Sequence, residues 1–264
     1  METASPWHLA QHPRDYNYLA GLPVWMRRRF YARYNEMALL PVTAPVSILE
    51  VGCATGEVAL YLHDRYPTAA YTGTDISRHA VAVATRKFPP CRGLWPKDHA
   101  WVPSFWCGDF RDIGRKDELV FCRDVVHHQD DPLAFLTALY AKTSRYLLVR
   151  LRTTLRRDSI RGCQTINGLT VPYWVLSEHD LRRWSRTLTP LAAVTVFEHP
   201  KVCQSSVVVP NQYEHGIYAE TAMVLDKRGP DKFSWRIQME SPLPFWLRTV
   251  IAINRRRRAY VCQA

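Results

Sequence analysis

Three short stretches of the sequence hold residues whose types and spacing suit ligand chemistry. They are I-L-E-V-G-C-A-T-G-E at 48–57, Y-T-G-T-D-I-S at 71–77 and W-C-G-D-F at 106–110. In the first, Gly52 and Gly56 let the backbone approach a ligand without side-chain interference, with Glu50 before them and Cys53, Ala54 and Thr55 between. The helix start that follows offers free N–H groups and a positive dipole end, which suit an anion such as a carboxylate. Asp75 comes roughly 20 residues later, the separation at which an acid binds a ribose diol. Asp109 ends the next strand along, where a carboxylate can accept a hydrogen bond from an adenine amino group. Ile76 and Phe110 are apolar neighbours placed to flank the base.

Two common phosphate loops are misspelled here. A dinucleotide fingerprint counted from Gly52 gives Ala54 and then Glu57, and glutamate cannot serve where a small residue must let helix pack on strand. No Gly-Lys-Ser/Thr follows, so the loop is not a P-loop. What fits is E-x-G-x-x-x-G with acids at the ends of the next two strands.

The elements that must carry these residues alternate in type. The pattern predicts strands at Val46–Val51, Ala70–Asp75, Trp101–Cys107, Glu118–Cys122 and Tyr146–Leu151. Helices are predicted at Glu57–Tyr66 and at Arg78–Phe88, with Ser77 as N-cap of the second. A third helix begins near Pro132 with Asp131 as its cap. Such alternation implies an α/β fold with a parallel sheet covered on both faces, and open sheets of this kind bind ligands at the strands' C-terminal edge. Beyond it, Ser177 and Asp180 suggest a capped helix, Ala192–Phe197 a sixth strand and Ala219–Leu225 a seventh. Residues 198–218 read as a long connection, a hairpin closing one edge.

Taken together, these motifs resemble those of the class I S-adenosylmethionine-dependent methyltransferases. E-V-G-C-A-T-G-E is similar to their glycine loop, G-T-D-I-S to their ribose-binding acid and C-G-D-F to their adenine-binding acid. C-R-D-V-V-H-H-Q-D-D-P resembles the end of the fourth strand in small-molecule members, and the departure is Ala54, where the family usually has glycine. The resemblance covers about residues 46–226. It implies a Rossmann-like, seven-stranded, mostly parallel sheet with helices on both faces and an antiparallel last strand. It also implies S-adenosyl-L-methionine as cofactor and no metal. Gly52 and its loop would lie against the methionine part, Asp75 at the ribose hydroxyls, Asp109 and Phe110 at the adenine, and Arg123 and Asp124 beside the methyl group.

Methyl transfer from a sulfonium is an in-line displacement that needs alignment. A hydroxyl or ammonium acceptor needs a base as well, and His127 or His128, just after the fourth strand, can serve. Nucleobase amines call for an Asn/Asp-Pro-Pro-aromatic motif where this chain has C-R-D-V. A Pro-Cys nucleophile for cytosine falls on the wrong segment, at 90–91, and R-L-R-T-T replaces the Asp-Asn pair of metal-dependent catechol enzymes. The expected acceptor is a small molecule methylated at oxygen, such as a secondary metabolite, glycan or lipid precursor. The alternatives are a nucleic-acid methyltransferase, or a non-catalytic cofactor-binding protein of the same fold. The expected acceptor walls are an N-terminal cap at 1–45, with Tyr16, Tyr18 and Trp25, and an insertion at 153–176, with Tyr173 and Trp174.

The remaining bounds are broad. The chain has 264 residues and a formal charge of +11, a field that favours anionic partners. Seven scattered cysteines without a C-x-x-C pair suggest neither a disulfide framework nor a zinc knuckle. That usage, with no apparent signal segment or apolar span, is the basis for expecting a cytoplasmic protein. The catalytic domain is expected at 46–228 and a basic extension at 229–264. There, apolar residues and Arg255–Arg258 suit packing with solvated charge, an anionic membrane surface or, as a weaker alternative, nucleic acid.

Overall fold

A computed structural model describes residues 35–88, 102–154, 157–166, 169–202, 207–208 and 217–237. A four-residue helix α1 (Asn35–Ala38) precedes β1 (Ser47–Val51), α2 (Glu57–Arg65), β2 (Ala70–Asp75), α3 (Arg78–Lys87) and β3 (Ser104–Cys107). Next come β4 (Asp117–Arg123), α4 (Pro132–Lys142) and β5 (Thr143–Thr154). A hairpin of β6 (Ile160–Ile166) and β7 (Leu169–Ser177) leads into α5 (Glu178–Ser185). The chain continues with β8 (Ala193–Val202), β9 (Val207–Val208), β10 (Ile217–Asp226) and β11 (Lys232–Ile237). Short 3-10 turns at Phe110–Asp112 and Val126–His128 follow β3 and β4.

Local signals explain where the helices begin. Ser77 Oγ accepts from the Ala80 N–H at 3.3 Å. One oxygen of Asp131 accepts from the N–H groups of Leu133 and Ala134 at 3.1 and 2.9 Å, while Pro132 takes a position whose N–H needs no partner. Ser177 accepts from the Asp180 N–H at 3.0 Å. The reciprocal half of that box is split through Ser159: the Ser177 N–H donates to Ser159 Oγ, whose hydroxyl donates to Asp180.

The strand order is β11-β8-β10-β5-β4-β1-β2-β3. The first five strands pair in parallel, and β10 is antiparallel to both β5 and β8. This is the expected mostly parallel sheet with an antiparallel seventh strand. The sheet does not end at its seventh strand. β11 pairs in parallel with β8 inside the segment read as a C-terminal extension, so the edge belongs to β11 rather than to the β8–β10 hairpin. Phe233 and Trp235 hold it there: their rings stack at 6.3 Å, Arg182 lies over Phe233, and the Trp235 indole donates to Glu198 at 2.9 Å. The segment read as an insertion, 153–176, contains the β6–β7 hairpin.

Period-two alternation sends each central strand's side chains to two cores. Leu49, Val51, Val120, Cys122, Leu147 and Val149 pack with Leu136, Leu139, Leu181 and Trp184 of α4 and α5. Ile48, Leu119, Phe121 and Leu148 pack on the opposite face with Val58 and Leu62 of α2 and with Met37 and Leu40. Both faces are therefore buried, and the parallel strands' C-terminal ends are left to carry polar groups. Among the described residues, no helix is long and apolar enough to cross a membrane.

Candidate active site

The turn from β1 to α2 is built from backbone. Gly52 and Gly56 have φ of 77° and 76°, and a β-carbon on Gly52 would stand 2.2 Å from Val125. Ala54 also adopts a left-handed conformation, with φ of 47°. The N–H groups of Gly52 and Cys53 both donate to the Thr74 carbonyl, at 2.8 and 3.0 Å, tying the loop to β2. Asp75, at the end of β2, completes the tie: Oδ2 accepts from the Ala54 N–H at 2.9 Å and Oδ1 from the Ser77 N–H at 2.8 Å. Each carboxylate oxygen can accept more than one hydrogen bond, so this acid suits a pair of hydroxyls.

Three buried groups brace the loop from beneath. Glu57 forms an ion pair with Lys87 of α3, whose ammonium also donates to the Thr55 carbonyl at 3.3 Å, and Thr55 Oγ1 donates to Glu57 at 3.3 Å. Glu57 is therefore a structural clamp in the position where dinucleotide folds need a small residue. Burial raises the Cys53 thiol well above its ordinary range. Burial also pushes the Glu50 carboxyl up to about 8, against the opposing pull of its hydrogen bond from the Tyr71 hydroxyl and of Arg123. Glu50 thus keeps its proton at neutral pH beneath the loop.

Asp109 lies one strand further along, where its carboxylate caps the next turn and accepts from the Arg111 N–H at 2.9 Å and its guanidinium at 2.8 Å. Phe110 is not beside it at the open edge. Its ring is buried against Phe135 in an edge-to-face contact at 5.3 Å, because the 3-10 turn directs it into the core. Ile76 stays half-buried at the end of β2.

A different construction occupies the ends of β4 and β5. Arg123 lies opposite Arg150 across one ladder, and Glu220 of β10 opposite Arg152 across the next. Arg150 is almost wholly buried, yet its guanidinium meets Asp124 at 2.6 Å, Glu220 at 2.5 Å and Glu36 of α1 at 3.6 Å. Arg152 reaches Asp124 at 3.1 Å and Glu220 at 3.3 Å, and Arg123 reaches Glu36 at 2.7 Å. Three guanidiniums thus face three carboxylates. Burial alone would raise the Asp124 carboxyl, but Arg150, Arg152 and Arg123 outweigh it and hold the group far below the usual carboxylate range. Asp124 also has a left-handed backbone, φ 59°, and with 29% of its side chain exposed it is the cluster's most open member. Sequence reasoning picks out Arg123 and Asp124 but misses Glu36, Arg150, Arg152 and Glu220. The signal that could have found the two arginines is the R-L-R alternation at 150–152, which puts both on one face of a strand.

His127, His128 and Tyr173 meet beside this cluster. The two imidazole centroids are 4.2 Å apart, and the Tyr173 ring lies 5.1 Å from His127 and 5.7 Å from His128. Arg152 Nε donates to the Tyr173 hydroxyl at 3.1 Å, joining the β6–β7 hairpin to the charged network. His128 Nδ1–H donates to the Pro172 carbonyl at 2.9 Å. Burial lowers His128 to about 4 despite that bond. Burial, together with the neighbouring His128 ring and the positive Arg152, keeps His127 well below its ordinary value. Both rings are neutral at pH 7 and only weakly basic. His127 Nδ1 is buried without a hydrogen-bond partner among the described residues. Trp174, next along β7, faces away and packs on the core under α4 and α5, so the structure brings Tyr173 to the site but not Trp174. Tyr16, Tyr18, Trp25 and Arg255–Arg258 lie outside the described residues.

Known proteins resemble parts of this chain. Residues 49–143 match the family model described as a methyltransferase domain. Trans-aconitate 2-methyltransferase of Yersinia pestis (strain Pestoides F) is 34% identical over 68 residues, covering 26% of this chain and 26% of that protein. The methyltransferase ungE' of Aspergillus campestris is 29% identical over 140 residues, covering 49% of this chain and 39% of that one. The matched region therefore spans well under half the length of these curated relatives. Among solved structures, the N-terminal domain of EvdMO1 with SAH bound superposes with a TM-score of 0.50 at 15% identity, covering 79% of this chain and 83% of that chain. This last likeness is one of fold.

Proposed function

We propose that this chain, whose residues 49–143 match a family model described as a methyltransferase domain, transfers a methyl group from S-adenosylmethionine to an oxygen of a small-molecule acceptor. One observation carries the reading: the Asp75 carboxylate is fixed by the Ala54 and Ser77 N–H groups at the mouth of the Gly52–Gly56 turn. The group fits these residues. Asp75 keeps acceptor capacity for the ribose hydroxyls, the left-handed turn brings bare backbone to the edge of the sheet, and Asp109 stands one strand along for the adenine amino group. In this reading Phe110 supports the adenine end from the core, by its place in the turn, rather than stacking on the base.

When bound, the sulfonium supplies an already activated methyl carbon. The chain's own residues align the partners and exclude water, and alignment of this kind is worth several kcal/mol. The loop after β4 supports that role, because Asp124 is clamped by three arginines and His127 and Tyr173 are buried. A neutral imidazole of such low basicity is a poor general base at pH 7. His127 and His128 are accordingly assigned to holding the acceptor rather than to removing a proton.

Titration calorimetry with S-adenosylmethionine tests the reading. The wild-type chain is expected to bind, and Asp75→Ala to bind about 10- to 100-fold more weakly, the worth of hydrogen bonds to a charged group. Equal binding by the two proteins, or by neither, contradicts it.

A further inference from the structure

Resting on the methyltransferase reading above, we infer that the acceptor's reacting group is a carboxylate, held by the Arg152 guanidinium and the His127 imidazole and converted to a methyl ester. The two residues converge on Tyr173, which accepts from Arg152 Nε at 3.1 Å and packs edge-on against His127 at 5.1 Å. A guanidinium has five N–H donors. Among the described residues Arg152 spends one on Tyr173, one toward Asp124 and one toward Glu220, which leaves one on each terminal nitrogen. His127 Nδ1 is a second polar atom without a partner among the described residues, buried beside the same tyrosine. A buried polar group without a partner costs roughly 1–3 kcal/mol, and an acceptor oxygen that satisfies it recovers that cost. With its proton on Nδ1, the ring donates to a carboxylate as the guanidinium does.

A hydroxyl acceptor would ask for more than this site offers. It must lose a proton, and the groups within the cluster are weak bases. His127 is buried, His128 is half-buried, and both are neutral and weakly basic, while Asp124, Glu220 and Glu36 each accept from guanidiniums. A carboxylate arrives already deprotonated. One of its lone pairs forms the new O–CH3 bond, the C–S bond breaks with its electron pair passing to sulfur, and no proton moves. An anion and a sulfonium cation become a neutral ester and a neutral thioether. Charge that cancels in this way is favoured where water is excluded, as around His127 and Tyr173. The cluster's three arginines are balanced by three acids, so selection rests on placed donors rather than on net field.

The test uses the full chain, a deproteinised small-molecule extract and S-adenosylmethionine labelled in its methyl group. Labelled products are treated with mild alkali, which frees volatile methanol from methyl esters and leaves methyl ethers and amines intact. The expected result is label released as methanol, formed at a rate that is flat from about pH 6 to 9 because no proton is removed. Alkali-stable label, or a rate climbing about tenfold per pH unit, overturns the inference while leaving the methyltransferase reading standing. Bound cofactor with no labelled product overturns both. Arg152→Lys keeps the charge but loses the fork. It is expected to cut ester formation at least about tenfold with unchanged cofactor affinity, and His127→Gln to act in the same direction.

Discussion

The two halves of this site are made differently. The half at the ends of β1 and β2 is made of backbone: left-handed turns at Gly52, Ala54 and Gly56, N–H groups turned to Thr74 and Asp75, and one acid at the opening. The half at the ends of β4 and β5 is made of side chains, with six charged groups from α1, β4 and its following loop, β5 and β10, and Tyr173 from the β6–β7 hairpin. Backbone geometry is set by a few neighbouring residues and gives a fixed shape. A buried charge network is set by distant partners, each of which depends on the others. In the function proposed above, the first holds the cofactor and the second faces the acceptor.

The difference can be broken from the charged side first. Arg150→Leu leaves Glu220 and Glu36 buried beside fewer cations, and removing one partner of a buried ion pair typically costs about 3–5 kcal/mol. Urea unfolding at pH 7 should show that loss, and a change under about 1 kcal/mol would mean that the network is dispensable.

Acid strains the same half. His128 has a folded pKa near 4 against about 6.5 when unfolded, so between those values the unfolded chain binds more protons. The depressed pKa means that stability is fully present above about pH 6.5 and is lost as pH falls toward 4, by on the order of 3 kcal/mol. Thermal unfolding across that range should show a falling Tm that His128→Gln flattens; an unchanged slope in the variant would reassign the acid sensitivity.

The backbone half should respond least. Ala54→Gly removes a β-carbon from a left-handed residue, a relief of about 1–2 kcal/mol, and returns about 0.4–1 kcal/mol of unfolded-state entropy. The net expectation is a gain of about 0–1.6 kcal/mol in urea, and a clear loss would show that the alanine methyl makes a needed contact.

The same contrast explains which parts of the fold and site are legible in the amino-acid sequence alone. E-x-G-x-x-x-G, Asp75 and Asp109 are each readable because local spacing on consecutive parallel strands places them along one edge. Ser77 and Asp131 are readable because a cap is a contact over two or three residues. The ion network is not, since Glu36 and Glu220 are 184 positions apart and meet only through Arg150 once β10 is inserted next to β5. Phe110 misleads for a related reason: its neighbour Asp109 faces the edge, but the 3-10 turn that starts there rotates the ring inward to Phe135. β11 is hidden because K-F-S-W-R-I alternates like many surface segments, and only the hydrogen-bonding edge of β8 selects it.

The separation of the two halves is tested most directly by calorimetry of S-adenosylmethionine against three proteins: wild type, Asp75→Ala and Arg152→Lys. The expected result is tight binding by wild type and by Arg152→Lys, with affinity reduced about 10- to 100-fold only in Asp75→Ala. Binding that survives in Asp75→Ala but fails in Arg152→Lys would contradict the account, because the cofactor would then depend on the charged network rather than on the turn.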